Sequence, residues 1–81
     1  MLIALDYDGT YTADPELWDF FIKKAKERGH EVKIATMRFP SEPIDGLDIE
    51  VVYTSRRAKY GCMPANIWID DTPQFLFQVS I

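Results

Sequence analysis

A chain of 81 residues, 47% hydrophobic and 27% charged, has the size and composition of one globular domain, expected over 1–81, and excludes a disordered one. No apolar run approaches the roughly 18 residues of a membrane span, and the single cysteine, Cys62, excludes an intrachain disulfide and fits a reducing cytoplasm. The net charge of −4, with no basic block, argues against broad nucleic-acid binding. Setting aside Asp6, Asp8, Asp70 and Asp71 leaves as many acidic residues as basic ones, so the acidity is concentrated in two short motifs. A chain this short buries only about 60% of its unfolded surface, so assembly into a homo-oligomer is expected to support a marginal core.

Leu2-Ile3-Ala4-Leu5 reads as a strand buried on both faces, as in parallel sheets. It begins directly after Met1, which leaves no room for a cleavable leader. The strand runs into Asp6-Tyr7-Asp8-Gly9-Thr10, placing two acids where open α/β sheets hold their ligands. Asp14 is suited to cap a helix over 15–28, with Pro15 at its first position and Glu16 at the positive end of its dipole. Leu17, Phe21 and Ala25, with Trp18 and Ile22 beside them, form the apolar stripe, and Gly29 ends the helix. Glu31–Thr36 reads as the second strand, completing a βαβ unit. Pro40, Pro43 and Gly46 forbid a long helix in the next segment, with one turn expected at most over 41–46. Val51-Val52-Tyr53 reads as a third strand. Ser55 is placed to cap a short helix over 56–60. Ile67-Trp68-Ile69 is a fourth strand, ending in Asp70 and Asp71. Phe75, Phe77 and Val79 alternate, which predicts a fifth strand over 75–81, with a short helix as the alternative.

Asp6/Asp8 and Asp70/Asp71 each end an apolar strand. If those strands are neighbours, their carboxylates converge and need a cation between them. All-oxygen ligands with no His or Cys at motif spacing select Mg²⁺ over Zn²⁺. A hydroxyl at Thr36 and an ammonium at Lys59 are what a phosphoryl group needs, a donor and a positive charge. Gly9 permits a tight turn that turns main-chain amides toward phosphate. Tyr7 and Arg38 are candidate substrate contacts. A calcium loop starting at Asp6 fails twice, with Tyr11 where glycine is required and Leu17 where glutamate is required.

The strand ending in Asp6-Tyr7-Asp8-Gly9-Thr10 resembles the first motif of the haloacid dehalogenase superfamily, most of whose members are phosphatases and phosphotransferases. Ile34-Ala35-Thr36 resembles its second motif, and Ile67-Trp68-Ile69-Asp70-Asp71 its fourth in the two-acid form. The third-motif cation is Lys59, with Arg56 and Arg57 as rivals. The resemblance implies a Rossmann-like three-layer α/β fold with a short parallel sheet. With only Tyr11–Asp14 between motif and helix, the chain looks like a truncated, capless core. It further implies Asp6 as nucleophile, forming an aspartyl phosphate, and Asp8 as acid and then base. Mg²⁺ would sit between Asp6, the main-chain carbonyl of Asp8, and Asp70, with Asp71 as a ligand or its anchor. Gly9, Thr36 and Lys59 would hold the phosphoryl group. The expected activity is Mg²⁺-dependent hydrolysis of a phosphate monoester, the substrate a small molecule or an exposed phosphate on a larger one. The rivals are a non-catalytic module that binds metal or phosphate, and a receiver-like phosphoacceptor.

Overall fold

The structure, a computed structural model, describes residues 1–80. It is an α/β fold built on one sheet of four parallel strands: β1 (Leu2–Asp6), β2 (Glu31–Thr36), β3 (Val51–Tyr53) and β4 (Ile67–Ile69). The helices are α1 (Pro15–Glu27) and α2 (Lys59–Cys62). Among the described residues, no helix is long and apolar enough to cross a membrane.

Strand alternation divides the apolar residues between two faces. Ile3, Leu5, Val32 and Ile34 face α1 through its Ile22 and Ala25. Ala4 and Ala35 lie on the other face with Met63 and Ala65, which flank the end of α2. Both faces of the two central strands are therefore covered, which is why β1 and β2 are nearly continuous apolar runs. The α1 stripe is buried most fully at Ile22 and Ala25, whereas Leu17 and Phe20 stand exposed.

α1 starts and stops where its sequence signals lie. The Asp14 side chain accepts from Leu17 N–H and Pro15 opens the helix. At the other end Gly29 takes φ +85°. Its N–H donates to Lys26 O, and His30 N–H donates to Ala25 O, the paired bonds of a Schellman cap.

The strand order is β3-β2-β1-β4. Successive strands extend one way from β1, then the chain returns to add β4 on the opposite side. The order thus reverses between β1 and β4, and open α/β sheets leave a crevice at the carboxyl ends of such a pair. In register, Leu5 lies opposite Ile69 and Asp6 opposite Ala35. Asp6, Thr36 and Asp70 thereby arrive together at the carboxyl end of the sheet.

Two expected elements differ. The helix over 56–60 is absent, because Ser55 and Arg56 adopt left-handed φ values of 54° and 69° that a right-handed helix excludes. Distant bonds hold them there: Ser55 N–H donates to Arg38 O and Arg56 N–H to Met37 O. The helical turn is displaced to Lys59–Cys62. Ser55→Gly is expected to raise stability by about 0.5–1 kcal/mol, as relief of about 1–2 kcal/mol of strain exceeds glycine's added chain entropy. A urea midpoint at or below that of the unsubstituted chain would contradict this.

The expected strand over 75–81 is also absent. Pro73–Leu76 forms a 3-10 turn, and the chain then crosses back so that Ser80 N–H donates to Arg56 O. Pro73 sets the turn, and the tail lies over the carboxyl end of the sheet instead of along its edge. Phe77 and Val79, whose alternation suggested a strand, are exposed. Ile81 lies outside the described residues. The loop over 37–50 carries no helix, in keeping with its prolines.

Candidate functional site

Asp6 is the last residue of β1 and is buried by the strands on either side. Its carboxylate meets Lys59 at the start of α2, whose Nζ donates to Asp6 Oδ1 at 2.6 Å and to Asp70 Oδ2 at 2.6 Å. The three side chains are nearly enclosed, at 8%, 4% and 2% exposure for Asp6, Lys59 and Asp70. A lone charge in such a place would be costly, and the ammonium between two carboxylates compensates both. Asp70 is held further by Thr72 N–H, which donates to Oδ1.

Thr10 provides the second connection. Its Oγ1 lies 2.9 Å from Asp6 Oδ2 and 3.1 Å from Asp71 Oδ1, and it accepts from Asp71 N–H. One hydroxyl proton serves one carboxylate at a time, so Thr10 holds Asp6 and Asp71 together without neutralising either. Burial pushes Asp6 up to about 6, from an ordinary 3.8, against the Lys59 hydrogen bond that pulls it down; a proton on Asp6 is favoured further by bonding to Asp71. Asp71 is held below the usual carboxylate range, first by that bond with Asp6 and then, against some burial, by the Thr10 hydroxyl.

Carboxylate oxygens of Asp6, Asp70 and Asp71 lie within 4.8 Å of one another. Such an all-oxygen set suits a hard divalent cation such as Mg²⁺. Gly9 leaves room for the Asp71 carboxylate: a Cβ there would stand 2.5 Å from Asp71 Oδ2, at a φ of +87°. Gly9→Ala is expected to cost about 1–2 kcal/mol in backbone strain and to turn Asp71 aside. It should therefore lower the urea midpoint and weaken any divalent-cation binding at these carboxylates; a midpoint equal to that of the unsubstituted chain would contradict this.

Asp8 stands apart from that trio. Arg38 clamps its carboxylate with two hydrogen bonds, Nε to Oδ2 at 2.9 Å and Nη2 to Oδ1 at 2.7 Å. The clamp holds the Asp8 carboxyl below its usual range. Arg38 in turn lies over the Tyr7 ring at 5.1 Å, and Tyr7 stacks on Tyr11 at 5.6 Å. Tyr7 is thus a platform beneath Arg38.

A cavity of about 180 Å³ opens among Asp6, Asp8, Thr36, Arg38, Arg56, Lys59 and Asp70, with Phe75 and Ser80 on its wall. Thr36 is buried, and its Oγ1 accepts from Arg38 N–H. Of the candidate third-motif cations, Lys59 and Arg56 line this cavity, whereas Arg57 is exposed and outside its lining. Gly9 does not line it either. Its N–H donates to Thr12 Oγ1, so that amide is spent within the turn, and Gly9 faces a groove with Asp71 and Leu17. The candidates found here and not by sequence reasoning are Thr10 as a bridge and Arg38 as the partner of Asp8. Thr10 was visible as part of the first motif, but nothing local marked its hydroxyl as the link to Asp71.

Comparison of the chain with models of protein families, with curated proteins and with solved structures finds no match.

Proposed function

We propose that this chain is a Mg²⁺-dependent phosphomonoesterase of the haloacid dehalogenase type, in a small Rossmann-like, capless form. The observation that carries the reading is a buried Asp6 at the strand-order reversal. It opens on a cavity that also holds a hydroxyl, Thr36, and an ammonium, Lys59. Asp6, Asp70 and Asp71 would hold the cation, with the main-chain carbonyl of Asp8 as a further ligand. The bound cation supplies charge neutralisation, so that an anionic nucleophile can approach an anionic phosphate.

Asp6 attacks phosphorus in line with the leaving oxygen, the P–O bond to that oxygen breaks, and an aspartyl phosphate forms. Water then attacks phosphorus, the acyl P–O bond breaks, and inorganic phosphate leaves with Asp6 regenerated. Thr36 donates to a phosphoryl oxygen, and Lys59 keeps Asp6 oriented through its 2.6 Å bond. Asp8 takes the proton from the attacking water. To give a proton to the leaving oxygen in the first step, it must first be relieved of Arg38, which depresses its carboxyl. A phosphoryl group entering beside Arg38 competes for that guanidinium and frees Asp8. Without a cap the cavity is open to water, so modest turnover is expected.

Hydrolysis of aryl and nucleoside monophosphates with Mg²⁺, compared with an Asp6→Asn variant, tests the reading. Beryllium fluoride bound on Asp6 supports the enzyme. Metal binding with neither adduct nor turnover would leave the non-catalytic module in its place.

The raised Asp6 carboxyl links proton and metal. Its folded value of about 6 lies above 3.8, so Asp6 stabilises the metal-free fold fully below about pH 4, and that contribution is lost as pH rises through 6. The lowered Asp8 and Asp71 act oppositely: their contributions are present above the ordinary value and are lost as pH falls through their depressed values. A cation needs Asp6 ionised. Mg²⁺ is therefore expected to release a proton on binding near pH 6 and to bind more weakly below it. Calorimetric titration in two buffers of different ionisation enthalpy measures this; equal heats at pH 6 would contradict it.

A further inference from the structure

Three cations line the cavity, and they differ in what they are bonded to. Lys59 donates to Asp6 and Asp70, and Arg38 is taken up by Asp8. Arg56 approaches a carboxylate only at 3.6 Å, from Glu42 Oε1, an oxygen that already accepts from Phe39 N–H at 3.0 Å. Among the described residues, Arg56 is thus the cavity-lining cation with no carboxylate at hydrogen-bonding distance. Its side chain is nonetheless held in place, since its guanidinium lies over the Phe39 ring at 5.6 Å. Its main chain is fixed as well. Arg56 sits at φ 69° beside Ser55 at 54°, two consecutive non-glycine residues in the left-handed region. Bonds to the loop after β2 and from Ser80 in the tail over-determine that conformation. Strain maintained by distant contacts clusters at binding sites, and here it fixes the main chain of an arginine, a planar fork of donors, that lines a small cavity.

We propose that Arg56 is a specificity-determining residue that receives a second anionic group of the substrate. The preferred substrates are then small phosphomonoesters carrying a further phosphate or carboxylate near the scissile group. The identity of the first anion rests on the phosphatase reading, and the second contact does not. Thr36, Lys59 and the cation take the scissile phosphoryl group, and Arg56 makes a charge-assisted bond to the other anion.

The test compares monophosphates and bisphosphates of ethanediol, propanediol and butanediol, with Mg²⁺ in excess. Binding is measured by calorimetry on the Asp6→Asn variant, where turnover is blocked, and hydrolysis on the unsubstituted chain. The best bisphosphate is expected to bind about tenfold more tightly than its monophosphate, with the preference shrinking at high salt. Arg56→Asn, chosen because Asn tolerates a left-handed backbone, should abolish the preference by weakening bisphosphate binding about tenfold more than monophosphate binding. Arg56→Lys should restore part of it, and Arg57→Asn should leave it intact. Equal affinities for both phosphates across the series would overturn the proposal. So would a preference that survives Arg56→Asn, or an equal loss for both ligands in that variant. If the preference holds in binding while the unsubstituted chain hydrolyses neither ligand, the phosphatase reading falls and the Arg56 contact stands. Hydrolysis of both with no preference gives the reverse.

Discussion

Lys59→Met is expected to remove about 3–5 kcal/mol of stability at neutral pH without Mg²⁺, the range seen when one partner of a buried ion pair is deleted. Lys59 is almost fully buried, and each of its two carboxylate bonds is 2.6 Å long. Without the ammonium, Asp6 and Asp70 face one another, both largely buried, with no compensating charge. Nearby Asp71 adds to the repulsion. A fold of this length has roughly 4–12 kcal/mol in hand, so a substantial population should unfold. Two treatments should return stability. On the phosphatase reading, Mg²⁺ is expected to replace the lost positive charge at the carboxylates. Acid acts by a different route: with Lys59 gone, Asp6, already raised by burial, loses the hydrogen bond that pulled it down, so its protonated form favours folding, and stability is regained as pH falls. Urea midpoints at pH 7 and pH 5, each with and without Mg²⁺, measure all of this. A variant as stable as the unsubstituted chain at pH 7 without metal would show that Lys59 does not hold this cluster together.

That cluster also marks the limit of what local sequence reveals. β1, α1, β2, β3 and β4 are legible because their signals are local: apolar runs, a capping Asp14 before Pro15, a Gly29 stop. The meeting of Asp6 with Asp70 depends on β4 pairing with β1 across more than sixty residues, with Leu5 opposite Ile69. Apolar strand composition permits that pairing without specifying it. The left-handed turn at Ser55–Arg56 is hidden for the same reason. Nothing in Ser-Arg-Arg disfavours a helix; the deciding bonds come from residues 37, 38 and 80. The Asp8–Arg38 clamp joins residues thirty apart in sequence. Each residue was a site candidate alone, but the pairing follows only once Thr36 and Arg38 are brought beside β1. Motif residues are thus readable one by one, whereas their partners are set by strand order.

Asp6→Asn should separate the two carboxylates of the first motif by their roles. On the phosphatase reading, the substitution removes the nucleophile and lowers turnover by about 10,000-fold or more. The fold should tolerate it. Burial already favours the neutral form of Asp6, and an Asn oxygen can still accept from Lys59. Asp8→Asn should fail differently. Asp6 can still attack, so an aryl phosphate, whose leaving group needs little protonation, should release phenol in a burst of about one equivalent per site. Phosphate then remains on Asp6, because no base activates water for the second step. Removing Asp8 also frees Arg38 from its two hydrogen bonds, which should strengthen phosphate binding and lengthen the life of the adduct. Rapid-quench kinetics and intact mass distinguish the variants: Asp6→Asn gives neither burst nor adduct, and Asp8→Asn gives both. A burst from Asp6→Asn would place the nucleophile elsewhere. Slow linear turnover without adduct in Asp8→Asn would mean that the first chemical step, and not the second, depends on Asp8.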